Sequence, residues 1–213
     1  MKNYQYILLD WDGNLAKTLD LWIEVYRFIL NEEGFYPSDE EIAHSFGTLT
    51  DYLVGLGIED PAVIYERADQ LVRKKLHDVE LYPDALEVLG YLKDKNKQTA
   101  LITTSKHTYI EHLLDRYDMH RLFDVVITHD DVAEHKPHPE SLYKALAELG
   151  GNKDEAIMIG DSQSDLGAAV NAGIDSVLFY PPEHAKFYNL ESLKKHEPTY
   201  VVDDFRKVME IVQ

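Results

Sequence analysis

Six short apolar runs rich in β-branched residues recur along this chain, at 6–9, 99–103, 124–128, 156–159, 176–179 and 200–202. Runs this short, without polar alternation, read as strands buried on both faces. Between the later runs lie helical patterns with start and stop signals. Pro83 opens one, Pro139 opens another, and the run 168–172 leads into Gly173 as a C-cap. Strand alternating with helix predicts a doubly wound parallel sheet in the α/β class, with helices on both faces and ligands at the carboxyl ends of the strands. The last run and a helix over 203–212 complete that core.

One connection breaks the rhythm. The stretch 16–80, about 65 residues, is far longer than an ordinary crossover from strand to strand. It reads as wholly helical: an amphipathic run over 19–30, a capping-box start at Ser38-Asp39-Glu40-Glu41, and Asp60-Pro61 opening a helix to about His77. The predicted division is therefore a core of 1–15 and 81–213 with a helical cap, 16–80, inserted over the sheet edge. A fixed helical layer and a moving lid share this pattern.

Composition narrows the function. Asp and Glu number 39 against 21 Lys and Arg, a formal charge of −18, so a nucleic-acid backbone or anionic membrane is repelled overall and small-molecule chemistry is favoured. There is no cysteine, which excludes disulfides, thiolate metal sites and a cysteine nucleophile and suits a cytoplasmic setting. The first apolar run is interrupted by Asp10 and Asp12, so it is read as neither signal peptide nor membrane span.

The polar residues at strand ends carry the chemistry. Asp10, Thr104 and Asp161 each fall just after a predicted strand, where sheets of this kind assemble their sites. In Asp10-Trp11-Asp12-Gly13-Asn14 the carboxylates are two apart, so at a strand end they can point the same way, and Gly13 lets the backbone turn close to a ligand. Alone, such a turn is common in ordinary loops and calcium sites. Thr104-Ser105-Lys106 offers hydroxyls and N–H groups that could hold a phosphate oxygen, or simply a helix cap. Lys136 sits in the proline-flanked loop His135-Lys136-Pro137-His138-Pro139, which limits its freedom and suits an inward-pointing cation. Gly160-Asp161-Ser162-Gln163-Ser164-Asp165 brings two further carboxylates on a turn into a helix. Two acidic strand ends, one hydroxyl end and one held lysine together form a set for gripping a hard cation, Mg2+, against a phosphate. The cluster His129, His135 and His138 lacks the helical pairing of a zinc motif, and Trp11 between the two acids reads as core lining.

These signatures, in this order, resemble the haloacid dehalogenase-like superfamily, on its phosphoglycolate-phosphatase-like and β-phosphoglucomutase-like side. The resemblance runs from Tyr6 to about Leu178 and rests on Asp10-Trp11-Asp12-Gly13, Thr104-Ser105, Lys136-Pro137 and Gly160-Asp161-Ser162 followed by Asp165; the helical insertion matches the family's α-helical cap type. It implies a Rossmann-like core and a magnesium-dependent phosphatase that works through an aspartyl-phosphate. In that reading Asp10 is the nucleophile and Asp12 the general acid and then base. Mg2+ is held by the Asp10 carboxylate, the Asp12 main-chain carbonyl and the Asp161 carboxylate. Thr104, Ser105 and Lys136 grip the phosphate, Gly13 and Asn14 support the loop, and Asp165 supports the metal or orients Lys136.

Departures are few. Asn14 stands where the family usually has Thr, and Lys17-Thr18 where it often has Asp-Ser; Lys17 places a cation at the cap hinge. Over 16–80 there are 6 Lys and Arg against 14 Asp and Glu, a net of −8, so the cap carries no obvious polyanion pocket. Asp12 argues against a dehalogenase. A phosphosugar mutase would call for an arginine near 45–50, and none occurs there. A phosphoryl-binding protein without turnover is the remaining alternative. The identity of the phosphate ester and the oligomeric state stay open.

Overall fold

The computed structural model describes residues 2–46 and 48–213. Six strands, β1 (Tyr6–Leu9), β2 (Gln98–Ile102), β3 (Val125–Ile127), β4 (Ala156–Gly160), β5 (Asp175–Phe179) and β6 (Tyr200–Val202), form one sheet in the order β3-β2-β1-β4-β5-β6. Every pairing is parallel. The expected α/β doubly wound, Rossmann-like core is therefore present, with β1 at the centre.

Alternation along the strands explains the two layers. Ile7 and Leu9 of β1, with Leu101, Ile157, Ile159 and Val177, face one cluster that includes Leu89 and Leu92 of α5 (Ala85–Asp94) and Leu113 and Leu114 of α6 (His107–Tyr117). Leu8, Ile102, Ile127 and Met158 face the other, against Leu142 and Leu146 of α7 (Glu140–Glu148) and Ala168, Ala169 and Ala172 of α8 (Gln163–Ala172). Successive side chains of a strand point to opposite faces, so continuous apolar runs require helices on both.

Between β1 and α5, the described residues make four helices: α1 (Leu19–Glu32), α2 (Asp39–Ser45), α3 (Leu49–Gly55) and α4 (Pro61–Arg73). The capping box is formed, with Glu41 N–H donating to Ser38 Oγ and Ser38 N–H to Glu41 Oε2. Asp60 caps α4 through Ala62 N–H, and Pro61 takes the first turn. The two chain crossings between this layer and the sheet are tied to each other: Lys17 N–H donates to the Glu80 carbonyl at 2.7 Å and Tyr82 N–H to the Leu15 carbonyl at 2.9 Å.

Several boundaries differ from expectation. The second strand ends at Ile102, one residue before Thr103, and the third is trimmed at both ends because Asp124 and Thr128 turn to side-chain bonds, Asp124 accepting from Thr99 N–H and Thr128 donating to Asp131. The helix after Asp60 stops at Arg73, and a separate 3-10 turn spans Leu76–Asp78. Pro83 lies before the first turn of α5, which begins after Asp84 in the left-handed region at φ 65°. At the C-terminus, α9 (Leu190–Leu193) precedes β6, and the last helix, α10 (Lys207–Ile211), is shorter than 203–212 because Asp204 turns the chain by accepting from Arg206 N–H.

Leu8 is fully buried in the middle of the sheet, where α7 and α8 leave no room for collapse. Leu8→Ala is expected to cost about 2–5 kcal/mol in urea unfolding. A loss below about 1 kcal/mol would contradict this packing.

Candidate active site

The carboxyl ends of β1, β2 and β4 converge with the loop after β3. Asp10 follows β1, its N–H donating to the Ile159 carbonyl. Lys136 reaches in from the loop after β3, and Asp161 and Asp165 come from the turn between β4 and α8. All four are at most 5% exposed, so their charges must be matched within the protein. Lys136 spends its three protons on three acceptors: Asp10 Oδ1 at 2.5 Å, Asp165 Oδ1 at 2.6 Å and the Ile102 carbonyl at 3.1 Å. The other Asp165 oxygen accepts from Ser162 Oγ (2.6 Å) and from the N–H groups of Ser162 and Asp161. Asp165 is thereby fully engaged as the holder of the lysine and the cap of α8.

Two glycines permit this closeness. Gly13 has φ +78°, and a Cβ there would lie 2.3 Å from Asp161 Oδ2. At Gly160 a Cβ would press on the Asp165 carboxyl at 2.4 Å. Asn14, fully buried, donates from Nδ2 to the Asp10 carbonyl at 2.9 Å and so braces the loop from behind.

Asp12 is held separately. Its Oδ2 accepts from Ser105 Oγ at 2.7 Å and from Thr103 Oγ1 at 3.4 Å, while its Oδ1 accepts from the indole N–H of Trp22, in α1, at 2.8 Å. Thr103 Oγ1 also accepts from Ser105 N–H at 3.0 Å. Thr104, by contrast, is exposed. Since β2 ends at Ile102, the hydroxyl facing Asp12 belongs to Thr103, one position earlier than sequence placed it. Trp22 and Thr103 were both missed; a strand end read one residue shorter finds the threonine, whereas the tryptophan lies on a helix whose docking only the fold reveals. Trp11 is buried core lining, its carbonyl accepting from Asn14, Leu15 and Ala16. The Lys17 ammonium lies 5.7 Å from the Tyr82 ring centroid. His129 and His135 stack on each other at 4.2 Å, outside the acidic cluster.

Three carboxyl groups share this buried space with one ammonium, so full ionisation would leave two negative charges uncompensated. Burial, then the neighbouring Asp165 carboxylate, pushes the Asp10 carboxyl well above its ordinary range. Asp161 is pushed the same way by burial and then by Asp165 and Asp10. For Lys136, burial works against the charge, but attraction to Asp10 and Asp165 outweighs it and the net shift is upward. Tyr188, buried on the segment after β5, is pushed up by burial and by Asp161, Asp165 and Asp10, and it too was absent from the sequence reading. A divalent cation answers this imbalance. Ligand atoms of Asp10, Asp161 and Asp165 lie within 4.8 Å of one another, and Asp161 Oδ2 is buried with no hydrogen-bond partner among the described residues. An orphaned carboxylate oxygen in a set of hard oxygen donors fits Mg2+.

The model of the family described as haloacid dehalogenase-like hydrolase matches residues 7–179. The chain belongs to that family. It is an enzyme of the hydrolase class, and the resemblance read from its motifs is correct. A pyrophosphatase PpaX from Halalkalibacterium halodurans is 29% identical over 213 residues, covering 97% of this chain and 95% of that protein. Among solved structures, a phosphoglycolate phosphatase-like protein from Lactobacillus plantarum superposes with a TM-score of 0.85 at 21% identity, covering 98% of this chain and 99% of that one. A β-phosphoglucomutase-like protein from Thermotoga maritima gives 0.72 at 23% identity, covering 98% and 100%. At these identities the two structures speak for the fold.

The raised carboxyls have a consequence for stability. A carboxyl whose folded pKa exceeds its unfolded value of about 3.9 gives its full stabilisation below that value and loses it as pH rises through the folded pKa. In chelator, therefore, the thermal midpoint should fall between pH 5 and 8, and Asp161→Asn should reduce the fall. Equal pH slopes for wild type and Asp161→Asn would contradict the charge imbalance.

Proposed function

We propose that this hydrolase is a magnesium-dependent phosphatase of small phosphate compounds, working through an aspartyl-phosphate on Asp10, with residues 16–80 as the cap over the site. The observation that carries the reading is the buried arrangement of Asp10 against Lys136, with Asp12 held apart on hydroxyls. One carboxylate is matched to a cation and the other is placed to exchange a proton. The cysteine-free, acidic chain fits work in the cytoplasm. Among the described residues no helix is long and apolar enough to cross a membrane.

Asp10 attacks phosphorus as the bond to the leaving oxygen breaks, and Asp12 gives that oxygen its proton. Water then attacks the phosphorus of the aspartyl-phosphate, Asp12 takes a proton from it, and phosphate leaves with Asp10 restored. A carboxylate and a phosphate dianion repel, so Lys136 lowers the cost of their approach, positioned by Asp165. Thr103 and Ser105, with the N–H groups of the loop at Gly13, are placed to grip the phosphoryl oxygens. Magnesium, held by the Asp10 and Asp161 carboxylates and the Asp12 carbonyl, supplies Lewis-acid charge on the transferring group.

The relatives named pyrophosphatase support adding pyrophosphate to the ester candidates, phosphoglycolate, sugar phosphates and nucleotide monophosphates. The absence of arginine over 45–50 favours hydrolysis over a mutase; Gly47 of that segment lies outside the described residues.

Phosphate release from p-nitrophenyl phosphate, pyrophosphate and this ester panel, with magnesium and with chelator, tests the proposal. Release is expected to require the metal and to fall by about a thousandfold or more in Asp10→Asn. Turnover that survives in Asp10→Asn would overturn the assigned nucleophile.

A further inference from the structure

Asp12 is served from both sides of the joint between the sheet and the helical layer. On the sheet side, Ser105 and Thr103 bond Oδ2; on the helical side, the Trp22 indole N–H bonds Oδ1 at 2.8 Å. The indole is fixed in turn. The Trp22 main-chain N–H donates to the Thr18 carbonyl, the ring stacks on Tyr26 (centroids 6.0 Å, 20° between planes), and the ring centroid of Tyr109 in α6 lies 6.4 Å away. The space left beside Asp12, between Trp22, Tyr109, Leu21 and Ser105, is about 10 Å³, room for one water molecule at most. These contacts hold the indole against the carboxylate.

We infer that Trp22 is a positioning residue for proton transfer by Asp12, supplied by the helical layer only when α1 is docked on the sheet. The inference rests on the acid and base role given to Asp12 above. Its chemical basis is the difference between the donors. An indole N–H can only donate, so it commits Oδ1 to accepting. The Ser105 and Thr103 hydroxyls can rotate to donate or accept, so Oδ2 is the oxygen able to carry the proton. When the phosphorus–oxygen bond breaks, its electron pair stays on the leaving oxygen and the proton passes to it from Oδ2. The carboxylate that remains keeps its indole bond, ready to accept a proton from water. Trp22 thus selects which oxygen of Asp12 works.

The test compares two esters of nearly equal shape and unequal need for a proton. p-Nitrophenolate leaves readily without protonation, whereas phenolate is a poorer leaving group. Trp22→Phe keeps an aromatic ring and removes only the N–H. Its kcat/KM, which reports only the steps up to breaking of the ester bond, should fall about tenfold further on phenyl phosphate than on p-nitrophenyl phosphate. A packing defect would lower both rates alike, so equal losses, or none, would overturn the role. Absence of turnover by wild type on either ester would overturn the proposed function and this role with it. A second measurement needs no turnover. The chain has two tryptophans, so 15N-labelled protein gives two indole N–H signals, assigned with Trp22→Phe. The Trp22 signal should lie downfield, exchange slowly with solvent, and shift and exchange faster in Asp12→Ala. If it is indifferent to Asp12→Ala, the inference is wrong whatever the kinetics show.

Discussion

The buried ammonium of Lys136 is the interaction on which the rest of this site depends. A lysine that is 3% exposed would ordinarily lose its charge, and a carboxylate beside two others would ordinarily be protonated. Asp10 and Asp165 keep the lysine charged, and the lysine in turn offsets part of the repulsion between carboxylates. Replacing Lys136 leaves two buried carboxyls without their cation, a far larger penalty than losing an exposed ion pair. The α/β architecture meets this need. Strands β1 and β4 are neighbours at the centre of the sheet, so their carboxyl ends bring Asp10 and Asp161 together without any long loop. Packing of α8 against β4 and β5 then aims Asp165 at the lysine.

Full ionisation of these carboxyls would leave the charge unbalanced, and in the proposed reading a dication answers it. A site that satisfied itself completely would have no affinity for a dication or for a phosphoryl group. Here Asp161 Oδ2 has no partner among the described residues, while Asp165 is saturated. Carboxylates of identical chemistry are thus divided into one that builds the site and one left open to a ligand. The helical layer takes part in the site as well, since Asp12 receives one of its bonds from Trp22, and the two chain crossings between layer and sheet are pinned to each other.

Much of this was legible in the sequence because it follows from local rules. Period-two burial and strand-end acids located Asp10, Asp161 and Asp165, and the prolines around Lys136 marked a held cation. Gly13 and Asn14 likewise fall where a tight loop beneath a ligand requires them. What sequence missed depends on register and docking. Reading β2 one residue too long put the hydroxyl at Thr104, which is exposed, when Thr103 faces Asp12. Trp22 looked like one apolar residue on an amphipathic helix, because helical periodicity says which face is buried and not what lies opposite. Tyr188 approaches the acidic cluster through a segment whose path no local pattern dictates. The C-terminal helix was overlong because side-chain bonds from Asp204 compete with helical ones.

The covalent step at Asp10 is tested most directly by acid quench of Asp12→Asn reacting with p-nitrophenyl phosphate, followed by borohydride reduction and peptide mass spectrometry. This ester needs no proton for the first step, but breakdown of the aspartyl-phosphate requires the missing base. The account predicts a phosphoryl adduct that accumulates and converts Asp10 to homoserine on reduction. Turnover with Asp10 unmodified at every quench time, or an adduct on another residue, would contradict it.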